Sequence, residues 1–61
     1  MPYVNIRIAG TLSRDQKAKI AAENTNTLER IALKPPEFTY ITFDELSEEN
    51  WAVAGKLLDA E

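Results

Sequence analysis

The chain contains no cysteine and no histidine. A disulfide is therefore impossible, and a zinc site has none of its usual soft or imidazole ligands. No apolar run approaches the ~20 residues that cross a bilayer. A secretory leader is not expected either, because no basic segment is followed by an apolar core. Acids outnumber bases ten to seven, for a net charge of −3. With no basic run or basic-aromatic stripe, nucleic acid is a poor partner. A cytoplasmic protein is the expectation. Glu45, Glu48 and Glu49 lack the ligand spacing of a calcium loop and read as a solvated turn, so no metal is expected.

At 61 residues, the chain is expected to form one domain over 1–61. A chain of this size buries only about 60% of its unfolded surface. Disulfides and metals being excluded, self-association is the remaining stabilising device.

The first ten residues organise the rest. A proline follows the initiator methionine and leads directly into Tyr3-Val4-Asn5-Ile6-Arg7-Ile8-Ala9. Val4, Ile6 and Ile8 alternate with Tyr3, Asn5 and Arg7, the period of a half-buried strand. Pro2 shares the parity of the apolar set. Small second residues usually permit removal of methionine, and the chain would then begin with a secondary amine on a stiff ring, a good base. If methionine stays, that nitrogen is a tertiary amide without basicity. The plainer reading of Pro2 is the opening of an edge strand, where a missing N–H costs little.

Ser13-Arg14-Asp15-Gln16 reads as a capping box, starting a helix expected to run from about Arg14 to about Leu33. Lys34 precedes Pro35-Pro36 and is pushed out of the helical region, which ends it. The expected inner stripe is Gln16 or Lys17, Ile20, Ala21 with Asn24, Thr27 with Leu28, then Ile31 and Ala32. Asn24, in mid-stripe, is expected to bond a neighbouring backbone or a subunit. Lys17 and Lys19 read as a wet helix face.

Phe38 to Phe43 alternates as a second strand, with Thr39, Ile41 and Phe43 on one face and Tyr40 and Thr42 on the other. Asp44 to Asn50 reads as an acidic turn. Trp51 to Lys56 reads as a short third strand or hairpin arm, and Leu57 to Glu61 as a tail. Strand, helix and strand make a β-α-β unit, expected to be parallel with a right-handed crossover. The fold class is α+β, with sheet edges left open for another copy.

These residues carry a resemblance. Met1-Pro2-Tyr3-Val4 opening the first strand, Ser13 to Lys17 at the helix start, Asp44-Glu45-Leu46 ending the second strand, and Asn50 to Lys56 as an aromatic-plus-glycine hairpin together resemble short members of the tautomerase superfamily. The likeness is to 4-oxalocrotonate tautomerase and its small bacterial relatives, over nearly the whole chain. It implies a cofactor-independent isomerase in which an amino-terminal proline, here Pro2, acts as general base on a small unsaturated enol or keto acid. It also implies dimers with a four-stranded sheet, often assembled as a trimer of dimers, a hexamer. Trp51 matches the family's aromatic site position, though a tryptophan packed at a subunit contact fits as well. Where relatives that handle dicarboxylates carry two arginines, this chain has Leu12 and Tyr40. Neither offers a guanidinium fork, and Tyr40 offers at most one neutral hydrogen bond. Unless a cation from another protomer fills the gap, activity on the family's usual substrate is expected to be low, giving a weak or differently selective tautomerase. Arg7 faces away from Pro2, and its expected role is structural, bonded across the sheet to Asp44 or to another subunit. Use of the same amine for hydration, decarboxylation or dehalogenation would need charged groups that the sequence does not place. A non-catalytic oligomer binding a small hydrophobic ligand is the alternative.

Overall fold

The computed structural model describes residues 2–60. Strand β1 spans Tyr3–Ala9, helix α1 spans Arg14–Ala32 and strand β2 spans Tyr40–Leu46. A hairpin of β3, Ala52–Val53, and β4, Lys56–Leu57, completes the chain. β1 and β2 pair in parallel from Tyr3 opposite Tyr40 to Ala9 opposite Leu46, so the expected β-α-β unit is what forms. The ladder runs one bond further, from the Gly10 N–H to the Leu46 carbonyl at 2.7 Å. Gly10 has a φ of 99°, a left-handed conformation that glycine adopts without steric cost.

The helix begins as its sequence dictates. Ser13 Oγ accepts from the Gln16 N–H at 3.1 Å, and Gln16 Oε1 accepts from the Ser13 N–H at 2.9 Å. At the other end Leu33 takes the left-handed conformation, φ 58°. Its N–H bonds the Glu29 carbonyl, and the Lys34 N–H bonds that of Leu28. A leucine there costs ~1–2 kcal/mol. The prolines that follow leave the helix no way to continue.

Strand β2 differs from its expected limits at both ends. Pro36–Phe38 forms a turn of 3-10 helix, closed by the Thr39 N–H on the Pro36 carbonyl, so pairing starts at Tyr40 rather than Phe38. At the far end, Asp44, Glu45 and Leu46 belong to the strand, as the resemblance has them and not as the acidic turn their composition suggests. They lie opposite Arg7, Ile8 and Ala9. β1 is seven residues long and takes seven partners, a tertiary demand that outweighs the weak strand propensity of acidic residues. Only Glu48–Asn50 is a separate turn. Leu57, expected in the tail, pairs with Ala52. The hairpin turns through Ala54 and Gly55, both at positive φ (54° and 79°), as tight antiparallel hairpins require.

Alternation along β1 is as read. Pro2, Val4, Ile6 and Ile8 are half-buried, while Tyr3, Asn5 and Arg7 are exposed. On β2, Ile41 and Phe43 lie inward, directly opposite Val4 and Ile6. The helix answers with Lys17, Ile20, Ala21, Asn24, Thr25 and Leu28 half-buried. Thr25 replaces the expected Thr27, and Gln16 is exposed. Ile31 and Ala32 also lie outside the stripe, Ile31 with 68% of its surface exposed, because the helix outruns the two-stranded sheet it packs on. Asn24 donates from Nδ2 to the Ile20 carbonyl at 2.9 Å, the local backbone bond expected for it.

Among the described residues none is fully buried. The accessible surface is 4895 Å², where a folded chain of 6.9 kDa has roughly 4,000 Å². The radius of gyration is 14.6 Å, against about 10.5 Å for a compact domain of this length. Among the described residues the strands of the hairpin pair only with each other, and the longest extent of the molecule is 43 Å. Among the described residues no helix is long and apolar enough to cross a membrane.

Candidate functional site

Strand parity and one main-chain bond place Pro2. It is half-buried on the apolar parity of β1, and its carbonyl accepts from the Tyr40 N–H at 2.9 Å. Tyr40 opens β2 opposite Tyr3, with 55% of its surface exposed. These two candidate residues are therefore neighbours at one end of the sheet. Whether Met1 is retained lies outside the described residues.

Leu12 and Trp51 stand elsewhere. β1 covers seven residues, about 23 Å at ~3.3 Å per residue. Leu12 follows its far end, and Trp51 follows the far end of β2 beyond the turn at Glu48–Asn50. Within one protomer Pro2 and Tyr40 thus stand at one end of the sheet and Leu12 at the other, while Trp51 follows the turn beyond β2.

The Leu12 side of the molecule is the more firmly built. The Leu12 N–H donates to Oε2 of Glu45 at 2.6 Å, and Lys17 Nζ lies 2.6 Å from Oε1 of the same carboxylate. The hydrogen bond from Lys17, then that from Leu12, holds the Glu45 carboxyl below its ordinary value against an opposing effect of burial. This corrects two expectations. Lys17 is not part of a wet face, since it ties α1 to β2, and Glu45 is not a free acid of a turn. Register was the missing signal: only the pairing of Glu45 with Ile8 puts Glu45 over the helix start. Lys19 does sit on the wet face, 3.4 Å from Asp15 with both side chains largely exposed.

Trp51 is partly buried, and its main-chain carbonyl accepts from the Leu58 N–H at 2.9 Å. Its indole Nε1 is inaccessible yet has no acceptor, an arrangement that costs about 1–3 kcal/mol. On the exposed sheet face, Asn5 donates to Thr42 Oγ1 and Asp44 Oδ2, and Tyr3 OH lies 2.9 Å from Thr42 Oγ1. Arg7 Nη2 stands 3.5 Å from Asp44 Oδ2, the cross-sheet role expected for it. Among the described residues, no cluster of three or more metal-ligating side chains occurs.

A shallow depression of about 360 Å³ lies where α1 turns into the second strand, lined by Glu29, Leu33, Lys34, Pro35, Pro36 and Glu37. None of the four candidates lines it. It is a surface hollow open to solvent.

The family sequence model described as "Tautomerase enzyme" matches residues 2–61. A protein of Ralstonia nicotianae described as a probable tautomerase is 35% identical, over all of this chain and 94% of that protein. Among solved structures, YwhB, a homologue of 4-oxalocrotonate tautomerase, superposes with a TM-score of 0.90 at 26% identity, covering 98% of this chain and all of that one. A heterohexamer 4-oxalocrotonate tautomerase from Chloroflexus aurantiacus gives 0.86 at 21% identity, covering 95% and 94%; at that identity the likeness speaks to fold alone. On the family match and the Ralstonia relative, this chain belongs to the tautomerase family, whose activity class is that of an isomerase.

Proposed function

We propose that the protein is a cofactor-independent keto-enol (1,3-proton-transfer) tautomerase whose base is the free ring nitrogen of Pro2 after removal of Met1. A base working near neutral pH needs a pKa near that pH. An apolar setting disfavours the ammonium form and lowers the pKa of an amine. The half-burial of Pro2 on the Val4, Ile6, Ile8 parity, with its carbonyl bonded to Tyr40, is the observation that carries this reading. The amine takes a proton from the hydroxyl or carbon of the enol acid and returns it at the other end of the conjugated system.

The site is completed between copies. Leu12 and Trp51 of one protomer wall the cleft over Pro2 and Tyr40 of a neighbour. The surface excess of the lone chain, roughly 900 Å² over the size expectation, matches the ~800 Å² each partner gives a standard interface. A homo-oligomer follows, a dimer or a trimer of dimers. With Leu12 and Tyr40 in place of cations, the substrate is a small unsaturated 2-hydroxy or 2-oxo acid with one carboxylate.

Intact-mass analysis followed by ketonisation of phenylenolpyruvate tests the reading, with Pro2→Ala as control. Loss of Met1 and Pro2-dependent turnover are expected. The same absence of a cation fork supports a second reading, an oligomer that binds a small hydrophobic ligand without turnover; retained Met1 together with ligand binding favours it.

A further inference from the structure

We propose that Glu45 is a positioning residue for the substrate cleft, acting through the main chain of Leu12. The inference rests on the reading that Leu12 of one copy lines the cleft over Pro2 of another.

Both carboxylate oxygens of Glu45 are engaged, by different elements. Oε2 takes the Leu12 N–H from the β1–α1 loop, and Oε1 takes Lys17 from the first turns of α1, each at 2.6 Å. Glu45 itself sits on β2, thirty-three residues from Leu12 in sequence. The carboxylate thus joins loop, helix and strand at one point. Its side chain is only 25% exposed and that of Lys17 only 32%. By contrast, the Asp15–Lys19 pair is 80% and 74% exposed and joins one turn of helix to the next. A pair of that kind contributes little.

The loop has few other ways to hold its shape. The Gly10 N–H is bound by Leu46 and the Ser13 N–H by Gln16, which fixes the loop at both ends. Leu12 lies between them, half-buried, and its own amide is held by Glu45. A charged acceptor makes that bond short and strong. Removing the acceptor frees Leu12 to swing while leaving the sheet, the helix cap and Pro2 in place. A displacement of about 1 Å in a substrate-positioning group can cost up to ~100-fold in turnover efficiency.

The test compares Glu45→Ala, Glu45→Gln and Glu45→Asp with wild type in steady-state ketonisation of phenylenolpyruvate. Leu28→Ala, on the half-buried helix face away from the loop, serves as a stability control. Glu45→Ala is expected to raise KM about tenfold with kcat changed less than about threefold, the signature of lost binding rather than lost chemistry. Glu45→Gln keeps an oxygen acceptor for Leu12 and should recover KM to within about threefold of wild type, although it loses the ion pair and melts lower. Leu28→Ala should lower Tm and leave KM alone.

An unchanged KM in Glu45→Ala overturns the proposal. So does a KM that tracks Tm across all variants, with Gln no better than Ala. If Glu45→Ala fails to fold, the other two decide. Asp keeps the charge but is one methylene short of Leu12, so a worse KM for Asp than for Gln is expected, and the reverse order overturns the proposal. Pro2→Ala separates the two levels. Wild-type turnover in Pro2→Ala defeats the catalytic reading, whereas an inactive Pro2→Ala beside a wild-type KM in Glu45→Ala defeats only the role of Glu45.

Discussion

The N–H of Tyr40 donates to the carbonyl of Pro2 at 2.9 Å, which ties the first residue before β1 to the first residue of β2. The bond uses the carbonyl of Pro2 and makes no demand on its ring nitrogen. Alanine at position 2 keeps that acceptor, so Pro2→Ala should fold with an unchanged Tm. Its ketonisation rate should fall by at least ~100-fold, the contribution of a positioned general base. Ultraviolet-monitored decay of phenylenolpyruvate checks this, and full activity in the variant would sink the assignment.

In the proposed cleft, Tyr40 and Leu12 are the residues that choose between acids. Tyr40→Arg and Leu12→Arg each introduce a guanidinium fork where a neutral side chain now stands. Either variant should improve kcat/KM for a dicarboxylic enol by about 10–100-fold relative to a monocarboxylic one, in line with ~1.5–3 kcal/mol for a hydrogen bond to a charged group. Competition between the two substrates in one assay gives the ratio directly. No change in either variant would place these positions outside the cleft.

Glu45 predicts a pH dependence of stability. Its carboxyl lies below the ordinary value of 4.5 when folded, chiefly through the hydrogen bond from Lys17 and then that from Leu12. The unfolded chain therefore takes up a proton first as pH falls. The stabilisation is complete above the unfolded value and drains away as pH drops through the lower folded one. Thermal melts should show Tm declining below about pH 4.5, and Glu45→Gln, which does not titrate, should flatten that decline. Equal slopes for the two proteins would contradict the assignment.

Trp51 offers a choice between two outcomes. Its Nε1 is inaccessible and unpartnered in the single chain. If it stays so in the assembly, Trp51→Phe keeps an aromatic wall, loses an unpaired donor and should stabilise the protein by about 1 kcal/mol or cost nothing. A denaturant titration that shows clear destabilisation instead would mean that a neighbouring copy supplies the acceptor.

The exposed hairpin predicts the oligomer. Val53 and Leu57 are 64% and 48% exposed, on strands that pair with nothing but each other. Light scattering at micromolar concentration should give a mass at least twice the 6.9 kDa of one chain. Val53→Asp with Leu57→Asp should reduce that mass and abolish turnover together, since in the proposed assembly Trp51, next to this hairpin, lies over a neighbour's Pro2. A wild-type monomer, or an active doubly substituted monomer, would defeat the shared site.

Several of these features are legible without coordinates. Alternation from Pro2 to Ile8 named the inward face of β1, and the Ser13-to-Gln16 spacing named the helix start, because both depend on neighbours a few residues apart. At the end of β2 composition and resemblance divide, and the structure sides with the resemblance, which ends the strand at Asp44-Glu45-Leu46. Asp44-Glu45-Leu46 looks like a turn by composition, and only the partners offered by β1 turn it into strand. Lys17 reads both as an inner-stripe residue and as part of a wet face, and its partner twenty-eight residues away puts it on the inner stripe.

The amino-acid sequence alone determined the order of strand, helix, strand and hairpin, the apolar parity of Pro2, and the absence of cations at Leu12 and Tyr40. These follow from side-chain period, capping chemistry and residue identity, all local. The tertiary structure decided that Glu45 clasps the Leu12 loop and that Pro2 and Leu12 stand at opposite ends of one protomer. Parallel pairing sets strand register across the whole helix, and no local pattern encodes a distance of that kind.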